Sequence, residues 1–109
     1  MAPENQMRET VIDESKVIGW ARERGILEHS NATAQLLKAV SEMGELADAE
    51  AKGQRDDAID AVGDVLVCLV NYCHFKGTTL AACYESAWEE IKDRKGRMVE
   101  GGVFVKDAA

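Results

Sequence analysis

Apolar residues recur along most of this chain at intervals of three and four, the spacing that aligns them on one face of an α-helix. The alternation of apolar and polar residues that is typical of β-strands is almost absent. We expect four helices, over about Val11–Arg24, Thr33–Lys52, Asp56–Phe75 and Leu80–Lys95. Glycines mark the breaks between them, where a residue that tolerates the left-handed conformation commonly ends a helix.

The second predicted helix carries a clear apolar stripe, which we expect to lie in the core. Leu36, Val40, Met43 and Ala47 are spaced four, three and four residues apart, so they share one helix face. The third helix has its own set of apolar positions, namely Ile59, Val62, Val65, Leu66, Leu69, Val70 and Tyr72. Four such helices with short connections favour an all-α fold, a four-helix bundle forming one domain over residues 1–109.

The two ends of the chain lack helical spacing. We expect a flexible N-terminus over about residues 1–10. The segment of about residues 98–109 is too short for a sheet, and we expect a C-terminal arm that packs on the bundle or on a partner chain. The apolar run GGVFV in this arm, together with the modest core of a small bundle, favours a homodimer or a homotetramer.

Charge and composition limit the possible partners. The net charge of −7 argues against nucleic acid, because phosphate contacts need a basic surface. We find no apolar signal segment and no apolar run near the ~20 residues of a membrane span, so we expect a cytoplasmic protein without a membrane partner. The three cysteines lack zinc-site spacing, which favours free thiols in a reducing compartment.

Acidic residues recur on the two helices that we expect to form a central hairpin. Glu42 and Glu45 are three residues apart on the second helix, and Asp60 and Asp64 are four apart on the third. If the hairpin turns at Gly53, positions 42 and 64 lie eleven residues before and after the turn. Positions 45 and 60 lie eight before and seven after. The spacing therefore predicts four carboxylates at two neighbouring levels.

Clustered carboxylates repel one another unless a counter-charge offsets their repulsion. All-oxygen ligand sets suit a hard cation such as Mg²⁺ or Mn²⁺. The alternative is a solvated acidic groove in which Lys38 and Glu42, four residues apart, form a weak ion pair. Lys38 and Asn71 lie on the acidic helix faces, so each is also a candidate substrate contact.

A basic cluster near the C-terminus stands out in an otherwise acidic chain. Lys92, Arg94 and Lys95 are candidate phosphate-binding residues, because cationic side chains form strong hydrogen bonds with phosphate. The same residues lie near the predicted end of the fourth helix, where positive charge complements the helix dipole. Both interpretations stay open.

The segments EMGELADA and DAIDAVGDVLVCLV resemble the signature of the MazG-like family, which are all-α nucleoside triphosphate pyrophosphohydrolases. The family pattern is Glu-x-x-Glu, a spacer, and then Glu-x-x-Asp. Glu42 and Glu45 match the first half, and Asp64 matches the final Asp. The third acid of the pattern falls on Ala61, and Asp60 is its nearest substitute.

The C-terminal segment AWEEIKDRKGRMVEGGVFVKDA is also similar to the ending of small phage and bacterial MazG-like chains. It departs from many of them at Glu89, where they have Asn. The resemblance implies a MazG-type bundle that hydrolyses a (deoxy)nucleoside triphosphate to the monophosphate and pyrophosphate, as in housecleaning of the nucleotide pool. It implies a Mg²⁺ site formed by Glu42, Glu45, Asp60 and Asp64, with Glu45 or Asp60 as the catalytic residue that orients water.

Two other functions remain open at this point. Ala61 replaces an acid of the family pattern, so the groove could bind a metal or a basic partner segment without turnover. A hydrolase of another phosphorylated nucleotide, such as an alarmone, would use the same acidic residues. Metal-dependent turnover distinguishes the first alternative from an enzyme, and a panel of substrates distinguishes the second.

Overall fold

The structure is a computed structural model that describes residues 10–108. The predicted flexible N-terminus lies outside these residues, apart from Thr10. The described chain is mostly helical with one small sheet. Its elements, in order, are α1 (Glu14–Glu23), α2 (Ile26–His29), α3 (Ala32–Ala51), α4 (Arg55–Phe75), α5 (Leu80–Ile91), β1 (Gly96–Val99) and β2 (Val103–Lys106). The four predicted helices are therefore confirmed, and α2 is an additional short helix in a segment without a predicted one.

Helices α3 and α4 form the central antiparallel hairpin. The chain reverses at Gly53, whose φ of +69° lies in the left-handed region that favours glycine. Asn31 begins α3, because its side-chain oxygen accepts a hydrogen bond from the Ala34 amide at 2.8 Å. The hairpin turns at the glycine that the sequence pattern indicates, so the acids of both helices lie along the same interface.

Small side chains dominate the contact between these helices. Ala39 and Ala49 of α3 and Ala61 of α4 are buried, as are Val65 and Cys68. Small residues let the two backbones approach closely, which leaves little room for large apolar side chains between them. Helix α1 packs on the hairpin, where Ala21 is fully buried. The core of one chain is accordingly small.

The apolar stripe of α3 does not lie in this core, so the prediction of its burial is wrong for a single chain. Leu36, Val40 and Met43 are 43%, 63% and 51% exposed, and Ala47 is exposed as well. The face of α3 that packs on α4 instead carries Glu42 and small alanines. The periodicity correctly identified an apolar face, but it carries no information on which surface covers that face.

The C-terminal segment differs from the predicted arm. Strands β1 and β2 form an antiparallel pair with Val99 opposite Val103, so the expectation that this segment was too short for a sheet is wrong. Gly101 and Gly102 have φ values of +92° and +80°, which allow the tight connection between the strands. Helix α5 ends at Ile91 rather than at Lys95.

Helix α5 is held at its N-terminus by a residue from α1. The Glu14 carboxylate accepts hydrogen bonds from the amides of Leu80 and Ala81, at 2.6 and 2.9 Å. These amides have no partners within their own helix, and the positive end of the helix dipole favours a carboxylate there.

No residue of α5 is buried. The helix and the β1–β2 hairpin therefore project from the core, and the radius of gyration is 16.7 Å. A compact chain of this length has about 13 Å.

Among the described residues, only α4 has the length and mean hydropathy of a membrane-crossing helix. The core helix of a soluble protein meets the same criterion. Helix α4 contacts α1, α3 and α5, and it contributes six of the buried residues, including Val70, Asn71 and Cys73.

Candidate carboxylate site

Two cavities lie along the α3–α4 interface, and Asp64 lines both of them. The larger has a volume of about 750 Å³ and includes Lys38, Glu42 and Asn71 in its lining. The smaller, of about 300 Å³, includes Glu45 and Asp60. Four predicted metal ligands and two predicted substrate contacts therefore lie in one continuous region of the hairpin.

The Glu42 and Glu45 carboxyls interact directly. Hydrogen bonding with Glu45 lowers the pKa of Glu42, and the Lys38 ammonium, 3.2 Å from Glu42, lowers it further. The same interaction raises the pKa of Glu45, because a protonated Glu45 can donate to the Glu42 carboxylate. Repulsion from Asp64 acts on the pKa of Glu45 in the same direction. Glu42 is 9% exposed and lies at the helix interface, whereas Glu45 is exposed to solvent.

The smaller cavity is strongly acidic. Its lining includes Glu45, Asp60 and Asp64 together with Asp48 and Asp57. Ala61 lines it too, so a carboxylate at the position where the MazG-like pattern has its third acid would reach this space. Asp60, the neighbour proposed as its substitute, lines the same cavity and is exposed.

The larger cavity combines an apolar lining with polar side chains. Val17 and Trp20 of α1, Ile26 of α2 and Val67 of α4 contribute its apolar surface. Gln35 and Asn71 also line it and share a hydrogen bond in which Asn71 Nδ2 donates to Gln35 Oε1 at 3.4 Å. This combination suits a ligand that has both an apolar surface and polar groups.

The basic cluster does not join the carboxylates within one chain. Lys92 is paired with Glu89 at 2.7 Å, and Arg94 with Glu90 at 3.5 Å. Neither of the two cavities is lined by Lys92, Arg94 or Lys95. Within a single chain these three residues therefore form a basic cluster near the end of α5 that lines neither cavity.

The carboxylates fit a hard divalent cation by their chemistry, because all are oxygen donors and one pair is close enough to share a proton. Within residues 10–108, however, no three acidic, histidine or cysteine side chains are close enough together to form a ready-made metal site. The residues fit the cation as oxygen donors, but the described structure does not hold three of them close enough together to bind it.

The sequence did not indicate that α1 and α2 would contribute to the larger cavity. Lys16, Val17 and Trp20 line it, as do Ile26 and Cys68. The positions 16, 17 and 20 share one helix face, which was the available signal, but it could not specify the partner of that face. Burial raises the pKa of the Cys68 thiol, and the neighbouring Glu42 carboxylate raises it further. Cys68 is thus a neutral part of the lining.

Comparison of the chain with protein-family models, with curated proteins and with solved structures gave no match.

Proposed function

We propose that this protein is a MazG-like, metal-dependent nucleoside triphosphate pyrophosphohydrolase that cleaves between the α and β phosphates. One observation carries the proposal: carboxylates from both helices of the hairpin line two cavities that share Asp64, and the larger cavity is large enough for a nucleoside. A triphosphate needs both features, because its anionic end requires cations and its base requires an apolar surface.

Glu42, Glu45 and Asp64 would hold Mg²⁺ or Mn²⁺, with Asp60 as a further ligand or as a base behind the site. When bound, the cation neutralises phosphate charge and lowers the pKa of a coordinated water. The Glu42–Glu45 pair supports this assignment, since an added positive charge replaces the proton that the two carboxyls otherwise share.

Glu45 or Asp60 would orient the attacking water and accept its proton at a carboxylate oxygen. Both residues line the smaller cavity, so either carboxylate could reach a water held there. Lys38 holds Glu42 at 3.2 Å, and its ammonium lies beside the space that the phosphates would occupy. Asp60, which lines the same cavity as Glu45, would help to position the water.

A homodimer, or a tetramer of dimers, would complete the site. The stripe of Leu36, Val40 and Met43 is exposed, and so are Tyr84 and Trp88 of α5. Apolar surface of this extent on a small chain is typical of an interface. A second copy packed on the stripe would cover it. It would also bring the basic cluster at the end of its own α5 toward the phosphate groups, which this cluster does not reach within one chain. The cluster consists of Lys92, Arg94 and Lys95.

A second candidate function is a helical interaction module that binds a divalent cation or a basic segment without turnover. Ala61 favours it, because this residue lines the smaller cavity without contributing a carboxylate. The two candidates differ in turnover, not in binding.

Pyrophosphate release from a panel of NTPs, dNTPs and guanosine tetraphosphate, with Mg²⁺ or with EDTA, tests the proposal. We expect Mg²⁺-dependent release that falls by at least about a hundredfold in Glu45→Gln. Glu50→Gln on the same helix is the matched control, because Glu50 is exposed and lines neither cavity. Mg²⁺ binding without release from any triphosphate would favour the interaction module, and turnover of the alarmone alone would place the activity on that substrate class.

A further inference from the structure

Three polar side chains form a chain of hydrogen bonds that ends at the larger cavity. Gln35 Nε2 donates to Ser30 Oγ at 3.1 Å, and Asn71 Nδ2 donates to Gln35 Oε1 at 3.4 Å. Each amide nitrogen thus has an oxygen partner. Asn71 takes part in these hydrogen bonds through its amide nitrogen, so its amide oxygen, Oδ1, is the atom that still needs a partner.

Asn71 is 2% exposed, and its Oδ1 has no hydrogen-bond partner among residues 10–108. A buried polar atom without a partner destabilises the folded protein, because it has lost its hydrogen bonds to water. Asn71 is also the largest fully buried side chain of the described protein. An amide in the middle of an apolar interface, with its acceptor unused, indicates that something else supplies the donor.

The position of this acceptor suggests the donor. Asn71 lines the cavity that also contains Trp20 and Asp64, so a nucleotide with its phosphates near Asp64 would have its base beside Trp20 and the amide pair. Oδ1 is covered by neighbouring side chains, and a base would reach it after these shift. Trp20 is 44% exposed, with the Arg24 guanidinium 5.0 Å from its ring centroid, and its exposed surface would stack on the base.

We propose, building on the function proposed above, that Asn71 and Gln35 read the edge of the base and select triphosphates whose base carries an exocyclic amino group. Cytosine presents its N4 amino group and adenine its N6 amino group as donors, whereas the corresponding position of uracil or hypoxanthine is an oxo acceptor. The free Oδ1 would accept from the amino group. An oxo group in the same place would face the oxygen and leave both acceptors unpaired.

Two substrate pairs test this preference. The kcat/KM ratio of dCTP over dUTP, and of ATP over ITP, compares an amino base with its oxo counterpart, in which the neighbouring ring nitrogen also changes from an acceptor to an N–H donor. We expect each ratio to be at least about tenfold, the effect of one buried hydrogen bond gained or left unmade. Asn71→Leu should bring both ratios to near one. Gln35→Leu, which removes the group that orients Asn71, should lower both ratios and keeps the test valid if Asn71→Leu fails to fold.

Binding of the monophosphates in EDTA separates this inference from the enzymatic proposal. Trp20 fluorescence, measured in a Trp88→Phe background, should respond to dCMP and AMP at concentrations about tenfold lower than to dUMP and IMP. Selective binding of amino bases without pyrophosphate release from any triphosphate would support the base-reading pair while overturning the proposed enzyme. Turnover with ratios near one, a preference for oxo bases, or no response to any of the four monophosphates would overturn the base-reading pair.

Discussion

The α3–α4 hairpin and the α5–β1–β2 region differ in how much of their apolar surface is buried within the chain. The hairpin buries small residues and, with them, two polar side chains, Glu42 and Asn71. The α5–β1–β2 region buries none of its residues and exposes Trp88, Ile91 and Phe104. The hairpin has its packing partner within the chain, and the two cavities of the candidate carboxylate site lie along that interface. The projecting region has an apolar surface without such a partner, which we attribute to a second copy.

We expect the largest effect from a substitution that disrupts the α3 stripe, the surface on which a second copy is proposed to pack. Met43→Glu places a charge in the exposed stripe of α3, 51% exposed in a single chain, and burying it in an interface would be costly. We expect a monomer by light scattering and pyrophosphate release reduced by at least about a hundredfold.

Ser41→Glu is the matched control for that variant. It adds the same charge to an exposed position of the same helix, on a side away from the stripe. It should leave mass and activity unchanged. A Met43→Glu protein that keeps the mass and activity of the unmodified chain would contradict the assigned interface.

The hairpin predicts a pH-dependent stability in EDTA. The folded pKa of Glu45 is raised, so the free energy of unfolding falls as pH rises through that value. The folded pKa of Glu42 is lowered, so the free energy of unfolding falls as pH drops through that lower value. The pair therefore stabilises the fold most between its two pKa values.

Glu45→Gln should remove the decline on the alkaline side, because a glutamine cannot ionise but can still donate to Glu42. Thermal unfolding between about pH 3 and about pH 8 measures this. The variant should have the higher Tm at neutral pH in EDTA, and added Mg²⁺ should raise the Tm of the unmodified protein more. Parallel profiles for the two proteins would argue against the coupling.

A smaller effect is expected where the two regions are joined. Glu14→Gln weakens the carboxylate cap on the α5 amides of Leu80 and Ala81, and we expect a loss of about 1 kcal/mol in the free energy of unfolding. Urea denaturation measures it, with the exposed Glu23→Gln as the control. Equal stability of the two variants would mean that the cap contributes nothing.

The smallest effect concerns thiol reactivity at the same junction. Burial, followed by the hydrogen bond with Cys83 at 3.8 Å, raises the pKa of Cys73 to about 11. Little thiolate forms near neutral pH, so iodoacetamide should modify the exposed Cys83 well before Cys73, as peptide mass spectrometry would detect. Modification of Cys73 first would indicate that α5 is displaced from α4 in solution.

Much of the hairpin could be predicted from sequence, and little of its surroundings. Equal distances from Gly53 bring positions 42 and 64 to one level because helical rise is regular. The burial of Leu36 or Val40 depends instead on a surface that helical periodicity does not identify. Gln35 lies on the acidic face, yet its bond to Asn71 depends on side-chain conformations across two helices. The strands of the C-terminal segment were missed because each has only four residues.

The bond that is cleaved shows whether the protein is a pyrophosphohydrolase. Phosphorus-31 NMR of the protein with Mg²⁺ and dCTP identifies the products without a coupled assay. We expect dCMP and pyrophosphate as the only products, and unchanged dCTP in EDTA. Formation of dCDP and orthophosphate, or intact dCTP in the presence of Mg²⁺, would contradict the proposed function.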